Sequence, residues 1–484
     1  MPYSNENPPV RSGDYTRFIA RKPVALVPSA GSTVALCLTD DWGPEKVVTR
    51  VGSFAEYLKL FGQPIGTAYS SGFVAAYNAF KGEGATRPGA GSLLVYRMVG
   101  SAGAPATHTL LAGSNSIVLT AKYKGTLGNS LSAEVVVNAL DNTARDIRLY
   151  LNGVKVEEYF GYTAAQLTNA QADINAKSTW VVASGAANGT VLAAAAAAAF
   201  IGGNSGTTLV SGDYTTAATA FEPWEFGAFC VHDLTDGSIK TALHTWASGL
   251  NNAEKAKRFF TVFGGALAEV YSAATTEANT FADENTVRFG VGTYHDTMLN
   301  RDLSTAQLAP RLAGIIVANG GRASISFARL SDLTLVAGPT DSEAVSAYSG
   351  GVVVATLGQN GVVHLESPRT TWTQDTEAKP FNIYSRIKYV ATMQSFERDV
   401  RAKTENGEVI GKLPVNDDTR EFLMSEAQTL LDNDYIQTNQ VQRGAKVTIA
   451  TTPPPDDNDE FVALDYQVGF GRAVEQIRRT MYVS

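Results

Sequence analysis

Cysteine is nearly absent: the 484 residues hold two, Cys37 and Cys230, far apart and each in an apolar stretch, VALCLT and FGAFCVHD. Both read as buried free thiols that pack as small hydrophobes, which suits a protein made in a reducing cytoplasm. Long apolar runs are missing too. The longest, VLAAAAAAAFI (Val191 to Ile201), falls short of the ~20 residues a helix needs to cross a bilayer. The opening MPYSNENPPVRSGDY lacks the apolar segment of a secretory leader. No cluster of Lys and Arg occurs and the net charge is −8, which argues against a surface built for phosphate backbones. The five histidines, His108, His232, His244, His295 and His364, never stand at ligand spacing from another His or Cys, so no zinc site is expected. A soluble, cytoplasmically made chain follows.

What is present is ordinary globular material: 44% hydrophobic and 18% charged residues, with 44 Gly and 18 Pro. Such composition is typical of strand-rich, loop-rich proteins, and the length favours about three domains. Residues 1–22 are polar, with Pro8-Pro9 and isolated apolar residues, and read as an extended arm. Ser53 is placed to cap a helix over FAEYLKLFG, with Phe54, Tyr57, Leu58 and Phe61 on one face and Gly62 ending it. A second helix over SSGFVAAYNAFKG and a buried strand in GSLLVYRMVG follow. From about 105 to 205, strand-length pieces (THTLLAGSNSIVLTAKYKG, LSAEVVVNAL, RDIRLYLNG, VKVEEYFGY) alternate with Gly and Asn turns, before a helix at AAQLTNAQADIN and the alanine run. This texture predicts a β-rich domain inserted between halves of another.

From about 210 to 375 strands alternate with helices. FGAFCVHDL, KRFFTVFGG and VRFGVG read as strands; IKTALHTWASGLNNAEKA and QLAPRLAGIIVANGG read as helices. Such alternation implies parallel strands with crossover helices. Beyond 376, helices are expected around YSRIKYVATMQSF and over DDTREFLMSEAQTLLDNDY, the latter with Leu423, Ala427, Leu430 and Leu431 on one face. The PPPDDNDE turn leads into terminal strands, where Val462, Leu464, Tyr466, Val468 and Phe470 alternate.

Catalytic motifs fail on inspection. GFGRAV near the end resembles the opening of a dinucleotide fingerprint, but Val474 stands where the third glycine belongs. GEVIGKLP (Gly407 to Pro414) is too short for a phosphate loop, and Leu413 replaces the hydroxyl that would hold Mg²⁺. GGNSGT (Gly202 to Thr207) lacks the flanking pattern of a nucleophile elbow, and DDNDE (Asp456 to Glu460) lacks the turn glycine of a calcium loop. His232 and His295 each precede an aspartate near a strand end, where α/β proteins do place catalytic groups, so an α/β hydrolase or peptidase with a β-rich accessory domain, using Asp213 or Asp233 with one of the histidines, stays open as an alternative. No cofactor, metal or catalytic residue is assigned.

Several segments, in order, resemble the tail sheath proteins of contractile bacteriophages and related injection machines. KPVALVPSAGSTVALCLTDDWGPEKVVTRVGSFAEYLKLFG resembles the N-terminal core of that family, with a strand ending in a Gly-Pro turn and a helix ending in Phe-Gly. LLVYRMVG is similar to its next strand, and AKYKGTLGNSLSAEVVV to its Gly-x-x-Gly-Asn turn into a β-sandwich. FIGGNSGTTLVSGDYTTAATAFEPWEFGAFCVHD resembles the entry to the central domain, LAPRLAGIIVANG its Pro/Ala-Gly helix and SPRTTW its Arg-Thr strand. YSRIKYVATMQSF and KLPVNDDTREFLMSEAQTLL resemble the C-terminal domain. The resemblance spans about residues 20–484; VRSGDYTRF stands where the family carries an early Pro-Gly-Val-Tyr pattern.

The resemblance implies an α/β and α+β multidomain fold. Its parts would be an N-terminal arm (1–22), the N-terminal part of the core (23–104), an inserted β-sandwich domain (105–205), a central subtilisin-like α/β domain (206–375), a C-terminal α+β domain (376–472) and a C-terminal arm strand (473–484). Subtilisin-like describes shape alone; the histidine contexts VHDL, LHTW, YHDT and VHLE are not those of a protease.

By resemblance the chain is a structural sheath subunit. It would form helically stacked hexameric rings around an inner tail tube and contract to drive the tube through a host envelope. Its partners would be copies of itself, the inner tail tube protein, and baseplate and tail terminator proteins, without direct nucleic-acid contact or membrane insertion. The place of action would be the virion, after assembly in the bacterial cytoplasm. A static virion component is the further alternative. The resemblance also implies interleaved terminal arms, with Val10, Tyr15, Phe18, Ile19, Ile477, Arg479, Met481 and Val483 as inter-subunit residues and Gly469 and Gly471 as the hinge. It makes the helix bearing Asp417, Asp418, Glu421 and Glu426 a candidate contact for the tube or a neighbouring subunit.

Overall fold

The computed structural model describes residues 32–62, 69–84, 88–112, 115–252, 255, 257–366, 368–405, 417–449 and 464–470. The expected arm residues at both termini, Gly471 and the acidic 456–460 turn lie outside them.

Seven strands build the central sheet, in the order Val352–Val353, Thr286–Phe289, Phe260–Phe263, Ala228–Val231, Thr33–Leu38, Ser92–Arg97, Val48–Val51. All neighbours are parallel except the last pair. Parallel neighbours need a crossover, and the helices Gly237–Asn251 and Tyr271–Phe281 connect successive strands. The alternation read from the sequence is thus realised. The inner strands are buried on both faces, as a sheet covered on both sides requires. One face packs against helices Ser71–Lys81 and Thr305–Asn319 through Leu36, Cys230, Val262, Leu308 and Leu312. The opposite face, with Ala35, Cys37 and Phe229, meets Leu243, Ala217 and Phe281 from three other helices. Cys37 and Cys230 are free and buried, as expected, and their side chains enter different cores.

The local signals for the first helices hold. Ser53 caps Phe54–Phe61 by accepting from the Glu56 N–H, and Gly62 ends it at φ 90°, a value that favours glycine. Ser70 caps Ser71–Lys81 in the same way. Pro310 sits inside Thr305–Asn319, where it cannot donate to the Ala306 carbonyl one turn back. That carbonyl instead accepts from the Asp233 N–H at 3.2 Å, and Asp233 holds a left-handed φ of 59°.

Between the Ser92–Arg97 and Ala228–Val231 strands, the chain forms two further sheets. One holds Thr107–Ala112, Asn115–Ala121 and Val181–Ser184; the other holds Ala195–Ala199, Leu131–Val137, Arg145–Leu151 and Val154–Tyr162. Leu110, Ile117, Leu119 and Val181 from the first share a core with Leu131, Val135, Ile147 and Leu149 from the second. A helix at Leu167–Lys177 closes that core with Leu167, Ala170 and Ile174. The alanine run is extended: Ala195–Ala199 pairs with Leu131–Val137 across a bulge, with every side chain exposed.

This region is tied to the central sheet at one loop. Arg97, fully buried, donates to the carbonyls of Asp40 and Gly43 at 2.9 Å each and of Lys124 at 2.6 Å. Trp42 inserts against Tyr123 and Trp180, at centroid distances of 5.2 and 5.4 Å, and Ser205 donates to the Asp41 carboxylate at 2.6 Å.

Helix Ile387–Glu405 runs through two cores. Ile387, Val390 and Ala391 belong to the main core, whereas Phe396 and Val400 pack on a smaller cluster of Ala427, Leu430, Leu431 and Tyr435. Those last residues come from the helix Asp417–Leu430 and the π turn that prolongs it. Three helices, Ser211–Thr219, Tyr271–Phe281 and Asp341–Ser349, and two small antiparallel sheets built from residues 293–365 have no counterpart in the sequence reading.

Candidate assembly surfaces

Chemistry in an open α/β sheet belongs at the carboxyl ends of its strands. Asp40 and His232 follow the Thr33–Leu38 and Ala228–Val231 strands there, and the helix opening at Ser71 meets them. Ser71 Oγ lies 2.9 Å from His232 Nδ1, a contact between residues 161 apart that no sequence motif announces. It does not make a catalytic dyad. Burial pushes the His232 imidazole down to about 3, with Arg301 adding to the effect, so the ring is too weak a base near neutrality. Among the described residues its Nε2 is buried with no partner, so no carboxylate of theirs orients it.

Asp40 is engaged elsewhere: its carboxylate accepts from the Tyr57 hydroxyl and from the Asp41 N–H at 2.8 Å. Burial pushes this acid up to about 6 against the opposing hydrogen bonds and the Arg97 charge. The remaining candidates are dispersed. Asp233 gives its backbone N–H to Ala306, while burial raises its carboxyl against a hydrogen bond from Gln307 and the Arg301 charge. Asp213 caps its own helix by accepting from the Val210 N–H at 3.0 Å. His295 pairs with Asp302 at 2.8 Å at the surface of a hairpin whose other face is buried. His244 sits 3.1 Å from Thr286 Oγ1. Among the described residues no three His, Cys, Asp or Glu side chains converge as a metal site. A surface hollow of about 470 Å³ is lined by Lys46, Tyr96, Thr215, Thr216, Thr219 and Ala220, but its threonine hydroxyls donate to carbonyls of their own helix.

The surfaces suited to contact lie toward the C-terminal end. Asp417, Asp418 and Glu421 are exposed on helix Asp417–Leu430, while Ala427 and Leu430 are buried. Asp417 accepts from Arg420 at 3.2 Å, and Glu426 is 3.8 Å from Lys403, so Glu426 belongs to the fold as much as to the surface. Phe422, not singled out from the sequence, is 41% exposed beside Glu421; only its place off the apolar stripe could have flagged it.

Lys446–Ile449 and Leu464–Gln467 form a two-stranded antiparallel sheet. Leu464 and Val468 pack on the small core. Gly469 is tied by its carbonyl to the Gln442 N–H at 2.7 Å, and the Phe470 ring stacks on Tyr389 at 5.2 Å. A two-stranded sheet is marginal alone and offers free edges. Among the described residues no helix is long and apolar enough to cross a membrane.

No protein-family model and no curated relative matches this sequence. Solved structures do match. The sheath tail protein from Desulfitobacterium hafniense superposes with a TM-score of 0.73 at 18% identity, covering 96% of this chain and 98% of its own. The sheath tail protein from Listeria innocua gives 0.68 at 20% identity, covering 92% of each chain. The helical sheath of the anti-feeding prophage in its contracted state gives 0.53 at 12% identity, covering 97% of this chain and 98% of that one. What is shared is the fold over nearly the whole length.

Proposed function

We propose that this chain, which shares the fold of tail sheath proteins over nearly its whole length, is a subunit of a contractile tail sheath. The single observation that carries the reading is that end-to-end likeness, with 96% of this chain and 98% of the D. hafniense protein superposing. A likeness that includes the β-rich insertion and the C-terminal unit concerns a whole architecture, which a borrowed α/β core would not reproduce. Subunits would assemble as stacked hexameric rings around an inner tube. Contraction would be a rigid-body change between two sets of interfaces, driving the tube through a cell envelope with energy stored at assembly. Baseplate, tube and terminator proteins would be the partners, assembly would occur in the bacterial cytoplasm, and the virion would be the place of action.

In this reading the central sheet is the subtilisin-like domain, residues 105–205 are the inserted sandwich, and the terminal arms are donated strands. A strand with unpaired edges is satisfied by joining a neighbour's sheet; the two-stranded Lys446–Ile449 and Leu464–Gln467 sheet is a ready acceptor. Ile477, Arg479, Met481 and Val483 would lie in the C-terminal arm, Val10, Tyr15, Phe18 and Ile19 in the N-terminal one, with Gly469 and Gly471 at the bend. The acidic helix would meet the tube or a neighbouring subunit. The chain would not be an enzyme: the dispersed carboxylates and the weakly basic His232 favour that side over a hydrolase.

Negative-stain microscopy of the purified chain, beside a truncation ending at Arg472, tests this. Hollow helical tubes from the full chain, lost on truncation, are expected. Tubes that survive truncation keep the sheath and return the last strand to its own subunit. A chain that stays monomeric at concentrations where sheaths polymerise sinks the reading, and polymers that never shorten leave a static virion component.

A further inference from the structure

The small antiparallel sheet of Arg329–Leu330, Val363–Leu365 and Ala355–Leu357 has two unlike faces. Leu330 and Val363 are buried in the main core. On the other face Arg329, His364 and Thr356 stand opposite one another across the three strands. Phe327 lies over this face, its ring stacked on His364 at 4.8 Å with 20° between planes, yet 58% of it remains exposed.

The position is held against the backbone's preference. Phe327 has φ 59°, a left-handed conformation that a bulky residue rarely adopts. Its N–H donates to the Leu365 carbonyl at 2.7 Å, which locks the register. Arg329 is exposed, with no side-chain partner among the described residues, and Arg322 is exposed five residues before Phe327. An exposed aromatic beside the unpaired Arg329 guanidinium is the composition of an interface anchor, and its charge calls for an acidic, partly apolar partner.

This chain presents one. On helix Asp417–Leu430, Asp418, Glu421, Phe422 and Ser425 are all exposed and follow the i, i+3, i+4, i+7 spacing of one helical stripe. Asp417 is occupied by Arg420, but Asp418 and Glu421 have no side-chain partner among the described residues. We propose that the Phe327–Arg329–His364 face of one subunit docks the Asp418–Glu421–Phe422 stripe of a second copy. The two surfaces differ, so the contact is heterologous, and a heterologous contact repeats into a ring or an open helix. This rests on the sheath reading and names one of its subunit interfaces.

The test compares the critical concentration for assembly of the full-length chain, by sedimentation at low salt, with that of three variants and one combination. Arg329→Glu and Glu421→Arg are each expected to raise it about tenfold, and the combined swap to bring it back near the wild-type value. Phe327→Asn is expected to raise it similarly while the melting temperature holds or rises, because asparagine tolerates the left-handed backbone; a merely structural phenylalanine would instead show a lowered melting temperature. Singles that assemble like wild type overturn the proposal. So does a swap that fails to restore assembly, or a Glu421→Arg chain that assembles normally but loses a co-purified tube protein, which would give the helix to the tube. A wild-type chain that never assembles overturns the sheath reading beneath it.

Discussion

Two helical glycines should respond to the same substitution with opposite signs. Gly314 lies in helix Thr305–Asn319 where it crosses Ser71–Lys81, and a Cβ built there would come 2.2 Å from the Ala79 carbonyl oxygen. That oxygen already accepts from the Ala90 N–H at 2.9 Å, and the Gly89 backbone lies so near that a Cβ built there would also come 2.1 Å from it, so it has little room to yield. Restoring ordinary contact at about 3.4 Å means a shift of roughly 1 Å between two backbones, which belongs at the upper end of the ~1–3 kcal/mol that overpacking costs. The better helix propensity of alanine returns about 1 kcal/mol. Gly314→Ala should therefore destabilise by about 2 kcal/mol net. Gly249, exposed in the last turn of Gly237–Asn251, has nothing within 4 Å of its built Cβ. Gly249→Ala should stabilise by about 0.5–1 kcal/mol.

At about 2–4 °C per kcal/mol for a domain of this size, thermal unfolding of the unassembled chain should fall by about 4–8 °C for the first variant. It should rise by about 1–4 °C for the second. Shifts of the same sign would refute the claim that the crossing at Gly314 is set by backbone contact.

Asp40 carries a folded-state acid near 6 against a usual value of 3.8; the folded chain holds that proton more tightly, so its stabilising effect is complete below about pH 4 and is lost as pH rises through 6. The loss is roughly 3 kcal/mol, and Asp40→Asn should gain on wild type by about that amount in pH-dependent melting between pH 4 and 7, a flat difference counting against the buried carboxylate. Arg97→Met should cost about 3–5 kcal/mol by stranding two buried carbonyls and a half-buried one, and should expose the Lys122–Lys124 segment to trypsin before the rest of the chain; an unchanged cleavage pattern would show that the aromatic contacts of Trp42 suffice.

Much of the architecture is legible because its signals are local. Ser53 with Gly62, and Ser70 with the apolar run behind it, fix two helices within a dozen residues each. The βα alternation after 228 fixes a parallel sheet. What escapes is set by tertiary context. Seven consecutive alanines (193–199) favour a helix on propensity, yet Ala195–Ala199 is a strand, because the backbone groups of the Leu131–Val137 strand need a partner.

Helix Tyr271–Phe281, with Ser, Thr and Ala at most positions, shows only Ala274, Ala278 and Phe281 to the core, too thin a stripe to read. The small sheets near 293–365 are two to five residues per strand, below the length at which alternation is detectable. The Ser71–His232 contact and the Arg97 clasp join residues from separate segments, and no spacing rule reaches them. Phe327 is invisible for a different reason: its left-handed backbone is a property of the loop, and aromatic residues give no hint of it.

The same contacts bear on why an α/β sheet of this kind would serve assembly without catalysis. An active site needs groups that change protonation or position during turnover, poised between partners. Here the strand-end groups are held: Asp40 by Tyr57 and the turn at Asp41, Asp233 by a hydrogen bond from the Gln307 side chain, His232 by burial and Ser71. Arg97 fastens the β-rich region to the sheet through three carbonyls, and helix Ile387–Glu405 threads both the main core and the small C-terminal one. For a sheath subunit, as proposed, that is the useful arrangement. Contraction would require each subunit to exchange neighbours while keeping its own shape, since a body that deformed would dissipate the energy difference between the two sets of interfaces. Rigidity inside, with charge and exposed aromatics such as Phe327 and Phe422 at the surface, would put the bistability in the contacts between copies.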